Sequence, residues 1–271
     1  MSIPQEDTFA DVVSKAMRGL VVTDAMVAER AAVSQNEVVA LRTGTWNDAV
    51  GRAVAAVLSL NPDALSALAA GTSEPPPLAV HGLEAFSTPF DDMLVNSYVV
   101  WDPATKHAAA FDTGADCGPM LARIEELGLS LQAVFLTHTH GDHVFDLDRL
   151  CEKTGAPAFV NALEPIDGAE PFTTGRAWNL GELQVVSRLT YGHSKGGTTY
   201  HITGLEKEIA VVGDALFAGS MGGAKVDYAA ALRTNVEVIF SLPSDTVLCP
   251  GHGPLTTVGW ESVWNPFFAK H

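Results

Sequence analysis

Residues 137–143 read THTHGDH, which crowds His138, His140, Asp142 and His143 into one short stretch. A solvated surface turn has no need of such crowding. The run follows LQAVF, residues 131–135, an apolar and β-branched stretch that reads as a buried strand, so these side chains leave a rigid core element. Alternate side chains of an extended segment share a face, which points His138 and His140 together, and Gly141 permits a sharp change of direction. Asp142 stands where an N-cap belongs, before one amphipathic helix over residues 145–154 that carries Leu147, Leu150 and Cys151 after Val144 and Phe145. Strand end, turn and helix start thus gather four ligand-type side chains. Neutral imidazole with carboxylate is the donor set of a borderline divalent cation such as zinc.

The remainder of such a site has to come from other strand ends. His193 lies in YGHSKGG, where Gly192, Gly196 and Gly197 allow close backbone approach. Asp214 ends the apolar run EIAVVGD, and His252 sits between Gly251 and Gly253 directly after another strand-like run. Asp112 ends AAAFD and is placed to orient a ligand by hydrogen bonding. Each alone reads as a capping aspartate or a satisfied histidine. Together, five histidines and two aspartates at strand ends or glycine-rich turns point to one cluster.

Composition narrows the partners. With 32 acidic and 16 basic residues the chain carries a formal charge of -16, which repels nucleic acid and anionic membranes. Three widely spaced cysteines, Cys117, Cys151 and Cys249, without a CxxC pair, argue against a disulfide framework and fit a reducing cytoplasm. The start MSIPQEDTFAD lacks the pattern of an export signal, and no apolar run approaches the roughly 18 residues of a membrane span, so a cytoplasmic protein is expected.

The chain divides at GTSEPPPLAV, because Pro75, Pro76 and Pro77 cannot continue a helix. Residues 1–74 form an all-helical part. Residues 75–271 alternate strand-like and helical runs, which predicts a layered α/β domain with functional residues at strand ends. In the front part Thr23 and Ser34 are candidate N-caps and Gly44 a stop signal. The stretch TDAMVAERAAVSQNEVVALRTGTW resembles the lambda-repressor-like helix-turn-helix family. That resemblance implies a recognition helix over residues 34–42, with Gln35, Asn36 and Arg42 as DNA contacts. Charge opposes it, since residues 1–74 hold five basic against nine acidic residues. A dimerisation or lid module, with a homodimer as one form of the molecule, is therefore expected over a DNA reader. Deleting residues 1–74 is expected to leave the site intact.

The ordered set FDTG, THTHGDH, GHSKGG, GDALFAG and PGHG across residues 78–271 resembles the metallo-β-lactamase fold superfamily. The resemblance implies an αββα sandwich with its motifs converging at one edge. It implies that His138, His140 and His193 hold one metal and Asp142, His143 and His252 a second, with Asp214 bridging both. Two divalent ions are then expected, zinc first, with iron or manganese as the other choices. A bridging hydroxide is the nucleophile, since even one zinc brings bound water to a pKa near 7, and Asp142 is the residue placed to orient it.

The flanking text VNSYVVWDPATKHAAAFDTGAD and LCPGHGPLTTVGWESVWNPFF is similar to the glyoxalase II-like branch, whose members hydrolyse small thioesters such as S-lactoylglutathione. The sequence departs from it in two ways. The chain ends soon after NPFF, without the helical segment that grips glutathione, and Gly223-Ala224-Lys225 stands where short members read Arg-Thr-Asp. Lys195, Lys225, Tyr191 and Tyr228 are the candidates for binding a small substrate. Two alternatives remain: a mononuclear iron enzyme like the persulfide dioxygenases, and a DNA-binding regulator whose hydrolase-like domain senses a ligand.

Overall fold

The computed structural model describes residues 3–269. Five short helices come first: α1 (Phe9–Gly19), α2 (Asp24–Ala31), α3 (Gln35–Arg42), α4 (Asp48–Val57) and α5 (Pro62–Ala69). Side-chain caps start them. Thr8 and Ser34 form reciprocal capping boxes with Asp11 and Glu37, while Thr23, Asn47 and Asn61 each accept from a backbone N–H in the first turn. Gly44 follows α3 with φ +94°. Val12, Ala16, Val27, Val38, Leu41, Val54, Leu58 and Leu65 close a core of their own, onto which Phe267 packs from the far end of the chain. The three prolines lie in a segment without regular structure.

Twelve strands follow, in two six-stranded sheets. The first contains β1 (Leu83–Phe90), β2 (Met93–Trp101), β3 (His107–Phe111), β4 (Ser130–Phe135), β5 (Ala158–Asn161) and β6 (Ala169–Phe172) in that spatial order. Its first three strands are antiparallel, and β3 to β6 run parallel. The second runs from β7 (Ala177–Leu180) through β8 (Leu183–Leu189), β9 (Thr198–Thr203), β10 (Ile209–Gly213) and β11 (Val247–Pro250) to β12 (Thr256–Thr257). There only β10 and β11 are parallel.

The sheets face each other across an aromatic core in which Phe135 meets Phe111, Phe159, Trp178 and Tyr200 at ring centroid separations of 4.7–5.6 Å. Helices cover both outer faces: α6 (Gly118–Leu127), α7 (Gly141–Val144) and α8 (Leu147–Thr154) on the first, α9 (Tyr228–Thr234) and α10 (Val258–Trp264) on the second. A π-helical turn, Asn235–Ile239, extends α9. This αββα sandwich is the expected α/β class, preceded by the helical region. The parallel pairs carry the functional geometry, because β3 with β4 and β10 with β11 each end side by side at one edge.

The helix expected over residues 145–154 is α8, and a separate short helix not expected from the sequence precedes it. Gly141–Val144 turns Asp142 and His143 inward, and a separate α8 then buries Leu147 and Leu150. One continuous helical stripe cannot serve both directions. Phe145, at the break, is 67% exposed, its ring T-shaped to that of Phe90 at the end of β1.

Candidate metal centre

The ends of β3, β4, β10 and β11 set the ligand-type side chains around one point. Beyond β4, His138 and His140 extend with their ring centroids 4.5 Å apart. His193 enters from the loop between β8 and β9, while Asp214 and His252 follow the neighbouring ends of β10 and β11. The donor atoms of His138, His140, His193 and Asp214 lie within 4.8 Å of one another, and so do those of Asp142, His143 and His252. Thus all seven expected residues converge.

Distances show how the two sets join. His140 Nδ1 lies 3.0 Å from Nε2 of both His138 and His193. Asp214 directs Oδ2 at His193 Nε2, 3.4 Å away, and Oδ1 at Nε2 of His143 and His252, at 3.3 and 3.6 Å. Asp142 Oδ2 is 3.4 Å from His143 Nε2 and 3.3 Å from His252 Nε2. One carboxylate, Asp214, therefore faces both sets with different oxygens.

Neighbouring groups fix the tautomers. His143 Nδ1 donates to Asp112 Oδ2 at 2.8 Å, His252 Nδ1 to the Leu94 carbonyl at 2.7 Å, and His193 Nδ1 to the Gly223 carbonyl at 2.9 Å. The Thr137 hydroxyl has one proton and gives it to Asp112 Oδ2 at 2.7 Å, so at 3.1 Å it accepts from His138 Nδ1. Four imidazoles consequently turn an Nε2 lone pair inward, the arrangement that oriented metal ligands share. Asp112 also accepts from the Thr137 N–H, and holds this position with φ +55°, a left-handed conformation costly for a non-glycine residue.

The donor set fits divalent cations. His143 Nε2 and Asp214 Oδ1 are buried and face each other at 3.3 Å without the geometry of a hydrogen bond, a poorly satisfied condition for polar atoms that a cation between them would relieve. Burial opposes ionisation of Asp214, yet His143, His193 and His252 hold its carboxyl well below the usual range. Burial pushes the His138 ring well below its ordinary value, with His143 adding to the effect. At His143 burial pushes down, but Asp214 and Asp112 prevail and raise it well above the usual imidazole value.

Asp142 is not an N-cap. His140 occupies that position of α7, and the Asp142 carboxylate turns toward His143 and His252, the nearest cationic partners for a half-buried anion. The substrate candidates lie farther out. Lys195 and Lys225 are exposed, and Tyr191 is half-buried. The Tyr228 ring packs under α1, where a Cβ added at Gly19 would come within 2.2 Å of it, so it serves to dock the helical region.

Glu164 carried no signal in the sequence, since it lies outside every motif. It accepts from the Thr139 N–H and hydroxyl at 3.2 and 2.7 Å and from the Gly196 N–H at 2.7 Å, clipping the loop of His138 and His140 to the loop of His193. Gly222 and Gly251 are likewise fixed by close approach. A Cβ at Gly222 would lie 2.8 Å from His193 Nδ1, and one at Gly251 would lie 2.2 Å from Asp214 Oδ1.

Comparison with known proteins gives a consistent result. Residues 90–252 match the family model described as the metallo-beta-lactamase superfamily. Hydroxyacylglutathione hydrolase GloC of Haemophilus influenzae is 30% identical over 195 residues, covering 64% of this chain and 92% of GloC. Among solved structures, ETHE1 from Myxococcus xanthus superposes with a TM-score of 0.60 at 25% identity, covering 69% of this chain and 84% of its own. TTHA1623, crystallised in a di-iron-bound form, superposes with a TM-score of 0.55 at 27% identity over 67% of this chain and 99% of its own.

Proposed function

The chain belongs to the metallo-beta-lactamase superfamily, and from that premise we propose that it is a dinuclear metal-dependent hydrolase of a small thioester or related ester. The observation that carries the reading is the divided carboxylate of Asp214, with Oδ2 toward His193 of one ligand set and Oδ1 toward His143 and His252 of the other. His138, His140 and His193 would hold one ion, Asp142, His143 and His252 the other, and Asp214 both. Such ions polarise a carbonyl and lower the pKa of bound water to near neutrality. The protein residues supply the rest. Asp112 and the Leu94 and Gly223 carbonyls keep the imidazoles in the liganding tautomer, and Asp142 is the residue placed to orient the attacking water. Likeness to hydroxyacylglutathione hydrolase GloC supports a thioester substrate. Lys195 and Lys225 remain the residues to bind its anionic groups.

Metal quantification with a thioester panel tests this. Two ions per chain, zinc or iron, with thioester turnover that is lost in His140→Ala together with the metals, is the expected result. A single iron per chain with oxygen consumption favours the persulfide dioxygenase-like alternative.

The helical region is read as a packing module and not as a DNA reader. Arg42, which the helix-turn-helix resemblance would set against DNA, pairs instead with Asp24 at 2.7 Å, a local partner that competes with phosphate. No helix among the described residues is long and apolar enough to cross a membrane.

A further inference from the structure

The segment from Asp214 to Gly223 touches the metal centre at three points. It begins with Asp214 itself, its Phe217 ring packs edge-on against His252 with centroids 5.4 Å apart, and its last carbonyl receives the His193 Nδ1–H. Residues 214–222 are all buried. An error in this strap would therefore be felt by three ligands at once.

The strap is gripped from outside by the helical region, far away in sequence. Lys15 of α1 donates to the Met221 carbonyl at 2.8 Å, lies 4.9 Å from the centre of the Phe217 ring, and is ion-paired with Asp7. Gln5 Nε2 donates to the Ala218 carbonyl at 3.3 Å and to the Ser73 carbonyl at 3.1 Å, tying the strap to the end of the helical region. Gln5 Nε2 sits close over Gly219, 2.9 Å from where a Cβ would be. The same N-terminal stretch lines a cavity of about 500 Å³ together with Leu94, whose carbonyl takes the His252 Nδ1–H, and Gly253, which follows His252.

From these contacts we infer that the appended helical region is a working part of the metal centre: Lys15 and Gln5 are positioning residues that clamp the 214–223 strap and through it hold Asp214, His193 and His252 in liganding geometry. The ligand motifs alone suggest that residues 1–74 can be removed without harm to the site. The clamp predicts otherwise. Lys15 is suited to the task because its ammonium satisfies a carbonyl, a carboxylate and an aromatic face together, which a neutral side chain of the same length cannot do.

This inference rests on the two-ion reading above, and one set of titrations separates the two. The full chain, stripped with chelator, is titrated with Zn²⁺ against a chromogenic competitor, and its thermal unfolding without metal is recorded alongside. Two ions bound by the parent support the reading; fewer than two in the parent count against that reading and leave no second site for the clamp to hold. In Lys15→Met, affinity for the ions is expected to fall about tenfold or more, the usual effect of losing a residue that orients ligands, because the strap carries ligands of both sets. Lys15→Arg should restore it; because Lys15→Met also strips Asp7 of its buried partner, the variant whose metal-stripped unfolding midpoint should stay close to the parent value is Gln5→Leu. Gln5→Leu gives an independent reading and is expected to weaken binding in the same direction, including in the case where Lys15→Met does not fold. Parent-like affinities in Lys15→Met and Gln5→Leu overturn the inference. So does weakening in Gln5→Leu that comes with a collapse of its metal-free unfolding midpoint, which marks a general packing defect.

Discussion

Asp112 accepts three hydrogen bonds from Thr137 and His143 while holding a left-handed backbone. These properties can be separated by substitution. Asn tolerates that backbone and keeps the Thr137 N–H satisfied, but its amide does not enforce the His143 tautomer. Asp112→Asn is expected to weaken metal binding about 10- to 100-fold with little loss of fold stability. Asp112→Ala should lose the same affinity and a further 1–2 kcal/mol or so of stability, because Ala lacks the local hydrogen bonding that lets Asp and Asn tolerate left-handed backbone and leaves the buried Thr137 N–H without its acceptor. Chelator competition and urea unfolding of both variants distinguish the effects, and equal stability in the two would count against a strained backbone.

Glu261 is a second residue whose burial has a measurable result. It is fully buried on α10, where Oε2 accepts from the Gly219 N–H at 3.1 Å and Asn265 Nδ2 at 2.7 Å, and Oε1 has no partner among the described residues. Burial raises its carboxyl from 4.5 to about 8, with the hydrogen bonds only partly opposing. A raised folded-state value stabilises most at low pH: the unfolded chain begins to ionise near 4.5 while the folded one stays neutral until about 8. The Glu261 contribution therefore declines as pH rises through that window. Glu261→Gln, neutral at every pH, is expected to flatten the parent's decline in urea midpoint between pH 5 and 8; parallel curves would show that Glu261 ionises normally. The residues legible from sequence were those that must be a particular donor, the histidines above all. Glu261 and Glu164 act through contacts 42 and 25 or more residues away, with no local motif to betray them.

At the scale of elements, the strand ends were legible because apolar runs stop abruptly at a polar side chain, as at Phe111 before Asp112 and Gly213 before Asp214. The break between α7 and α8 was not, since helical spacing around Leu147 and Leu150 is the same whether or not the helix starts before them. Strand β1, with Pro89 and mostly half-buried positions, lacks the alternation that marks a strand and owes its existence to pairing with β2. The loop joining β11 to His252 makes a sharper demand. Gly251 takes its place because an added Cβ would meet Asp214 Oδ1 at 2.2 Å and His143 Cε1 at 2.6 Å, whereas Gly223 has nothing within 4 Å. Gly251→Ala should therefore displace Asp214 and abolish binding of both ions, while Gly223→Ala should bind them like the parent. Metal content after dialysis reports both, and a metal-replete Gly251→Ala would show that the loop yields where the coordinates leave no room.

Over the whole molecule, charge and contact pattern bear on the helical region. The net charge of -16 and the Arg42–Asp24 pair oppose phosphate contacts. No duplex binding is expected in fluorescence anisotropy at low or moderate salt; affinity that weakens steeply with added salt would revive the regulator reading. The sandwich itself was legible from alternating strand-like and helical runs. The seating of the helical region was not, because Gln5 and Lys15 meet residues more than 200 positions away and no periodicity encodes such a pairing.

One backbone feature reaches farthest. Gly251 receives the Asn96 N–H from β2 at 2.7 Å and gives its own N–H to Gly213 beside β10 at 2.9 Å, while the Tyr98 hydroxyl and the Asn96 amide both reach the Pro250 carbonyl. The two sheets are stitched together within a residue or two of Asp214 and His252. Ions seated there would act as rivets between the layers, so prising the sandwich apart at this edge and emptying the site become a single event.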